Sequence, residues 1–274
     1  MWNGSIWTPD NANDWGTGKT LRYSNGAGSP DSEGVTFTGL GPSGGIYVST
    51  ERDNDVSAIS RIAILLYDVS GSGNTLVASR EWDLTSDLPP VGANLGAEAI
   101  TWVPDSFLVS HGFFDAAKGR AYDPSDYPDH RDGLFFVGIE QTGVIYAYAL
   151  NHADGTFTRV ATLVSGLTGV MDLQFDRETG NLWAICDDTC NGAAAVLQVD
   201  SATGRFTPSV TLARPGSMPN LNNEGFALAP LAECSGGKRP VYWTDDGATD
   251  GHAIRRGALD CTLPALPEVS SGSE

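Results

Sequence analysis

The sequence predicts an all-β chain folded as a β-propeller of four-stranded antiparallel blades. Three observations lead there. Short stretches alternate apolar and polar residues, the pattern of half-buried strands. Four of these stretches begin with an acid and recur along the chain, and each is followed by further β-rich stretches joined by Gly/Asp/Asn turns. No amphipathic helix competes with them: 33 Gly and 15 Pro among 274 residues favour turns. The nearest helical candidate, "DAAKGRAYD", is cut by Gly119 and followed closely by Pro124.

The first strands are "SEGVTFTG" (32–39), "AEAITWVP" (97–104), "MDLQFDRE" (171–178) and "NEGFALAP" (223–230), headed by Glu33, Glu98, Asp172 and Glu224. The second strands, "GGIYVSTERD", "GLFFVGIE", "GNLWAICDD" and "RPVYWTDDG", are aromatic and β-branched and end in acids. Aligned on their apolar starts, they place Glu51, Glu140, Asp187 and Asp246 at one equivalent position, with Asp53, Asp188 and Asp245 beside them. "AILLYDV", "VIYAYAL", "AVLQVD" and "HAIRRGAL" supply third strands. "LVASREWDL", "FTRVATLV" and "FTPSVTLA" supply fourth strands, reached through "SGSGN", "HADG" and "SATG".

The repeat heads lie 65, 74 and 52 residues apart. A blade takes roughly 40–45 residues, so the length allows five or six blades, of which four are legible. The long second interval has room for a further partial blade at "SFLVSHGF". The last repeat lacks a fourth strand, which "KTLRYSN" near the N-terminus is expected to supply, closing the ring. Residues 115–133 interrupt the pattern as an insertion over one rim. The propeller thus spans 1–262, with 263–274 a tail or linker; a β-sandwich of comparable length is the competing architecture.

Lys and Arg number 16 against 34 Asp and Glu, a formal charge of −18. Such a field repels nucleic acid and anionic membranes, and suits divalent cations or simple solvation. No apolar run reaches the ~18 residues of a membrane span. "MWNGSIWTPD" is not a signal peptide, so the protein is either cytosolic or a secreted chain without its leader. Of four cysteines, Cys186 and Cys190 form the compact "CDDTC", while Cys234 and Cys261 bracket the last repeat. The spacing lacks the second close pair or histidines of a zinc site; two disulfides, Cys186–Cys190 and Cys234–Cys261, are expected, and with them an extracellular location, the alternative being four inert thiols.

"GIYVSTERDND", "GAEAITWVPDSFLVS", "GLFFVGIEQTGVIYAYAL", "GVMDLQFDRETGNLWAICDDTC" and "PNLNNEGFALAP" together resemble the bacterial secreted phytase-like propellers, the family called "esterase-like activity of phytase". The likeness spans roughly residues 30 to 257. It implies a metal-dependent ester or phosphoester hydrolase acting on a small or polymer-bound ester. Such relatives carry a further stretch upstream, so the chain is expected to start inside a blade.

Inner strands headed by acids bring Glu33, Glu98, Asp172 and Glu224 to one mouth of the channel. Carboxylates so close cannot all stay ionised without compensation, which Ca²⁺ or another hard divalent ion would give. The alternative is structural: each acid accepts N–H bonds from a neighbouring blade and holds the ring together. Glu51, Asp53, Glu140, Asp187 and Asp246 form a second, weaker metal set on a loop face shared by Arg52, Asn54, His111 and His252. Arg52 is a phosphate-holding candidate, ahead of Arg255 and Arg256, and His111 is a general-base candidate if it reaches the channel. "GPSGG" matches G-x-S-x-G, but a strand follows where the nucleophile elbow needs a helix, so Ser43 is a loop residue. His130 and His152 also read as loop residues. "SEGVTF" and "NNEGFAL" further resemble the opening strand of lactonase-like sugar-acid hydrolases, with Asn222 or Asn223 as an amide ligand. A non-catalytic, Ca²⁺-stabilised module binding protein or carbohydrate is the remaining reading. The protein is expected to be a monomer or part of a multidomain secreted chain.

Overall fold

The computed structural model describes residue 8 and residues 11–262. The chain opens with β1 (Thr20–Arg22), then β2 (Pro30–Thr36), β3 (Ile46–Asp53), β4 (Ser60–Tyr67), β5 (Thr75–Val77) and β6 (Arg80–Asp83). The first blade is the antiparallel sheet β2-β3-β4-β6. There follow β7 (Ala97–Pro104), α1 (Asp105–Ser110), the single α-helix among the described residues, β8 (Phe114–Asp115), β9 (Arg120–Ala121), β10 (Gly133–Ile139), β11 (Val144–Leu150) and β12 (Phe157–Val164). The second blade runs β7-β10-β11-β12. The third runs through β13 (Asp172–Asp176), β14 (Asn181–Ile185), β15 (Ala194–Asp200) and β16 (Arg205–Leu212). The fourth has three strands, β17 (Asn223–Leu228), β18 (Lys238–Asp245) and β19 (Ile254–Asp260).

The four legible repeats are therefore four sheets, and the described residues form no fifth or sixth. Burial follows strand position. The central strands β10 and β11 are apolar on both faces and almost wholly buried, whereas the outermost β16 is largely exposed. Three apolar clusters lie between sheets. Tyr47, Ile64, Trp82 and Phe135 join the first blade to the second. Phe136, Ala147, Phe175 and Phe206 join the second to the third, and Trp183, Val196, Val241 and Trp243 join the third to the fourth.

The inner strands also meet through side chains that accept backbone N–H groups from the next blade. The Thr101 hydroxyl on β7 accepts from Phe175 on β13 (3.1 Å). Asp172 and Gln174 on β13 accept from Phe226 (2.5 Å) and Leu228 (2.7 Å) on β17, and Glu178 accepts from Leu231 (2.6 Å). Between the first two blades the approach is closer still. A Cβ at Gly34 would lie 2.8 Å from both the Glu98 carbonyl and the Ile100 nitrogen, so only glycine fits there.

Three sequence expectations need correction. "KTLRYSN" does not complete the fourth blade: β1 pairs in parallel with β5, and Tyr23 packs with Val48, Leu65 and Tyr67 on the free face of the first blade. Among the described residues no blade covers that face, and its apolar surface takes up the segment. "SFLVSHGF" hides no blade, because Asp105–Ser110 is helical, with Leu108 as its one buried residue. The expected fourth strand of the first blade is split into β5, serving β1, and β6, serving β4. The insertion at 115–133 packs inward, burying Tyr122 and Tyr127 in the cluster between the second and third blades. The expected tail at 263–274 lies outside the described residues.

Both disulfides form as expected, Cys186–Cys190 and Cys234–Cys261, and no helix among the described residues is long and apolar enough to cross a membrane. The fourth blade is held to the third by one ion pair as well. Arg239, 1% exposed, donates to Asp176 at 2.5 Å. Removing one partner leaves a buried charge uncompensated, so Arg239→Ala is expected to lower unfolding free energy by about 3–5 kcal/mol in urea titration. A loss below about 1 kcal/mol would show that the pair does not secure the fourth blade.

Candidate functional site

In an antiparallel hairpin the start of one strand and the end of the next lie side by side. The two sets of acids therefore converge on a single mouth of the channel. Carboxylate oxygens of Glu51, Glu98 and Glu140 lie within 4.8 Å of one another, and so do those of Asp31, Glu33 and Glu51. Glu51 is common to both groups. Asp31 is a member the sequence reading missed, although its position two residues before Glu33 was a signal.

Glu98 sits at the centre and is 7% exposed. Among the described residues no cation and no N–H donor meets its carboxyl group. Burial, then the charges of Glu33 and Glu51, push it far above the usual carboxylate range, and a hydrogen bond joins it to Glu51. Burial and the charges of Glu51, Asp31 and Glu224 push Glu33 up to about 7. Burial, Glu51 and Asp187 do the same to Glu140, also to about 7. Glu51 is raised by burial, partly offset by Glu98 and by the backbone N–H of Gly96. Glu224 is raised by burial and then by Asp246, against a hydrogen bond from Asn222 (2.8 Å).

Arg52 is the neighbouring cation, its Nε 2.7 Å from Asp31, and its charge opposes the rise at Glu33. Asn54 also donates to Asp31, at 3.0 Å.

The other expected ligands are spent elsewhere. Asp172 is the tie between blades: its oxygens accept from Phe226 (2.5 Å) and Leu173 (2.7 Å). Asp53 accepts from Ser29 (2.8 Å) and Asp55 (3.0 Å), capping the turn after β3. Asp187 caps the turn at Asp188–Cys190 through Thr189, although its charge still reaches Glu140 and Glu224. Asp245 is held by Gly247 and Thr249, while Asp246 stays exposed at the mouth and acts on Glu224 through its charge. Cys186, Asp187 and Cys190 also cluster, but both cysteines are in a disulfide and offer no thiolate.

His111 does not enter the channel. It ends α1 in the open, its ring stacked on Phe107 at 4.0 Å, because the segment expected to be a strand is a helix. Ser43 lies in a 3-10 turn and donates to the Leu40 carbonyl (2.7 Å), as its loop position predicted. His130 is in a loop but buried, bonded to Asp105 (2.9 Å). Arg255 donates to Thr249 and faces Asp245 at 3.7 Å.

From Glu33 and Glu224 a cavity of about 1090 Å³ runs along the inner strands, lined further by Gly34, Gln174, Phe226 and Leu228. No histidine lines it.

No protein-family model and no curated protein matches the chain. Among solved structures, the chain is similar to Sqt1 of Chaetomium thermophilum at 12% identity, with a TM-score of 0.42, over 90% of this chain and 52% of that one. It is similar to the periplasmic gluconolactonase PpgL of Pseudomonas aeruginosa at 12% identity, with a TM-score of 0.40, over 86% and 59%. It is also similar to the endo-arabinase of Bacteroides thetaiotaomicron VPI-5482 at 10% identity, with a TM-score of 0.38, over 88% and 78%. The chain thus spans about half the length of Sqt1. The propeller architecture rests on the four sheets themselves, and these likenesses say nothing of activity.

The raised carboxyls fix how cation-free stability varies with pH. Their folded values lie above the unfolded glutamate value of about 4.3. The stability they contribute is therefore fully present below that pH and is lost as pH rises through about 7 for Glu33 and Glu140. In EDTA, the melting temperature of the natural chain should fall from pH 5 to pH 8 relative to a Glu33→Gln/Glu140→Gln variant. Parallel curves for the two proteins would show that these carboxyls are not forced together.

Proposed function

We propose that the chain is a divalent-cation-dependent hydrolase of the phytase-like propeller kind, acting on an ester or phosphoester outside the cell. The observation that carries this is Glu98, a buried carboxyl whose polar neighbours are other carboxyls. A hard cation with oxygen ligands is the species that turns such a cluster from repulsive to stable. Glu51, Glu98 and Glu140 would hold one Ca²⁺-type ion, with Asp31 and Glu33 on its near side through the shared Glu51. Ligands on one such ion lie at 2.3–2.6 Å from it, which the 4.8 Å spread of oxygens accommodates.

When bound, the ion would polarise an ester or phosphoryl oxygen and lower the pKa of a coordinated water. The chain's own groups frame that chemistry. Arg52 stands beside the cluster to attract an anionic ester. Glu224, at the cavity wall, is placed to accept or return a proton. The cavity beyond takes the body of the substrate. The two disulfides support an oxidising compartment. A second reading, a cation-stabilised binding module without turnover, is favoured by one observation: no histidine lines the cavity.

Calorimetric titration of EDTA-treated protein with Ca²⁺ is expected to show binding accompanied by proton release and a higher melting temperature. Glu98→Gln should weaken binding at least roughly tenfold, by loss of a charged ligand. Nitrophenyl phosphate, nitrophenyl acetate and a sugar lactone should then be tried with and without Ca²⁺. No Ca²⁺ binding, and no effect of Mg²⁺ or Mn²⁺, would defeat the cation site; binding without turnover of any of the three would favour the binding module.

A further inference from the structure

The cavity has a second end with the opposite character. From Asp172 at the acidic mouth, β13 runs to Asp176, and Arg177 stands in the turn just past its end, roughly 17 Å away at ~3.3 Å per residue. There the Arg177 guanidinium lies 4.7 Å from the centre of the Trp102 ring and 6.0 Å from that of Phe37. It donates to the Phe37 carbonyl at 3.2 Å. Among the described residues no carboxylate pairs with it, and the adjacent Glu178 accepts instead from the backbone of Leu231.

Between the two ends the wall mixes polar side chains such as Gln174 and Thr244 with large apolar ones. Val35, Phe37 and Ile254 are 62%, 44% and 49% exposed, yet all three line the cavity together with Phe226. Large apolar side chains left open in a concave wall, rather than scattered over a convex surface, mark a ligand site. A guanidinium resting over an aromatic ring and giving one N–H to a carbonyl keeps further N–H donors for a carboxylate or phosphate.

We propose that the cavity binds a small amphipathic anion, with its carboxylate or phosphate on Arg177 and its hydrocarbon body along Val35, Phe226 and Ile254. The acids at the other mouth repel the anionic head and so fix its direction. This site needs no bound cation, so it stands or falls apart from the hydrolase reading.

Calorimetric titration in EDTA with octanoate, octyl phosphate, octanol and inorganic phosphate tests it. At least one of the two amphipathic anions should bind, and at least roughly tenfold more tightly than octanol or inorganic phosphate, the worth of one charge-assisted contact. Whichever of octanoate and octyl phosphate is tighter identifies the head group. Arg177→Met should weaken the anion at least roughly tenfold while leaving octanol unchanged. Arg177→Lys should retain part of the affinity, and both variants should still melt in one cooperative transition above the titration temperature, so that lost binding is not lost fold. The proposal is overturned if neither anion outbinds octanol, if inorganic phosphate binds as well as octyl phosphate, or if Arg177→Met leaves anion affinity unchanged.

Discussion

The inner strands of adjacent blades belong to different sheets, so no backbone ladder can join them. The chain solves this with side-chain acceptors. Thr101, Asp172, Gln174 and Glu178 each take an N–H from the following blade. Two of these, Asp172 and Gln174, are spaced by two residues, so they project from the same face of β13 toward alternate N–H groups of β17. Such bonds fix where neighbouring inner strands sit relative to one another. They therefore also set the width of the channel and the spacing of the acids at its mouth.

The same constraint explains why the four strand-heading acids came to differ in role. Asp172 is one methylene shorter than its counterparts and lies against the next strand, where its oxygens are taken up by backbone donors. Glu98 heads its own strand too, but it sits in the register shift between the Ala97–Ile139 and Ala99–Gly138 pairs, whereas Asp172 pairs directly with Ile185. Gly96 gives its N–H to Glu51, and Ile100 faces Gly34 across a gap too narrow for a side chain. The structural reading thus holds for Asp172, whose oxygens are taken up by backbone donors, while Glu98 keeps a carboxyl surrounded by other carboxyls.

The β class, the four repeats and both cysteine pairings were legible because they are local: alternation, turn chemistry and short spacings declare themselves along the chain. The merging of the two acid sets was legible in principle, since antiparallel pairing places Glu51 and Glu140 beside Glu98. It was obscured by treating each strand as a separate row. What could not be read was non-local. "SFLVS" carries a strand-like run of apolar residues, and only its place after Pro104 and against Phe175 makes it a helix, which removes His111 from the channel. "KTLRYSN" satisfies any sheet edge by composition. The exposed apolar face of the first blade, where Tyr23 is wholly buried, decided which one. Arg177 gave no sign in the sequence, because its shelf is built from Trp102 and Phe37, residues from two other blades.

The fourth blade has three strands and an apolar interface with the third blade, whereas the second and third blades are flanked on both sides. In an array of repeats each interface contributes separately to stability, so among the described residues a blade with one apolar interface has less holding it than a blade with two. The Cys234–Cys261 bridge closes a span of 27 residues across that unit, tying the turn before β18 to the residue after β19. By restricting the unfolded excursions of this segment, it makes fraying less favourable where neighbours are fewest. In a reducing environment that restriction would vanish, and the fourth blade would be held to the third by Arg239, the Trp183–Trp243 contact layer and the N–H bonds accepted by Asp172, Gln174 and Glu178.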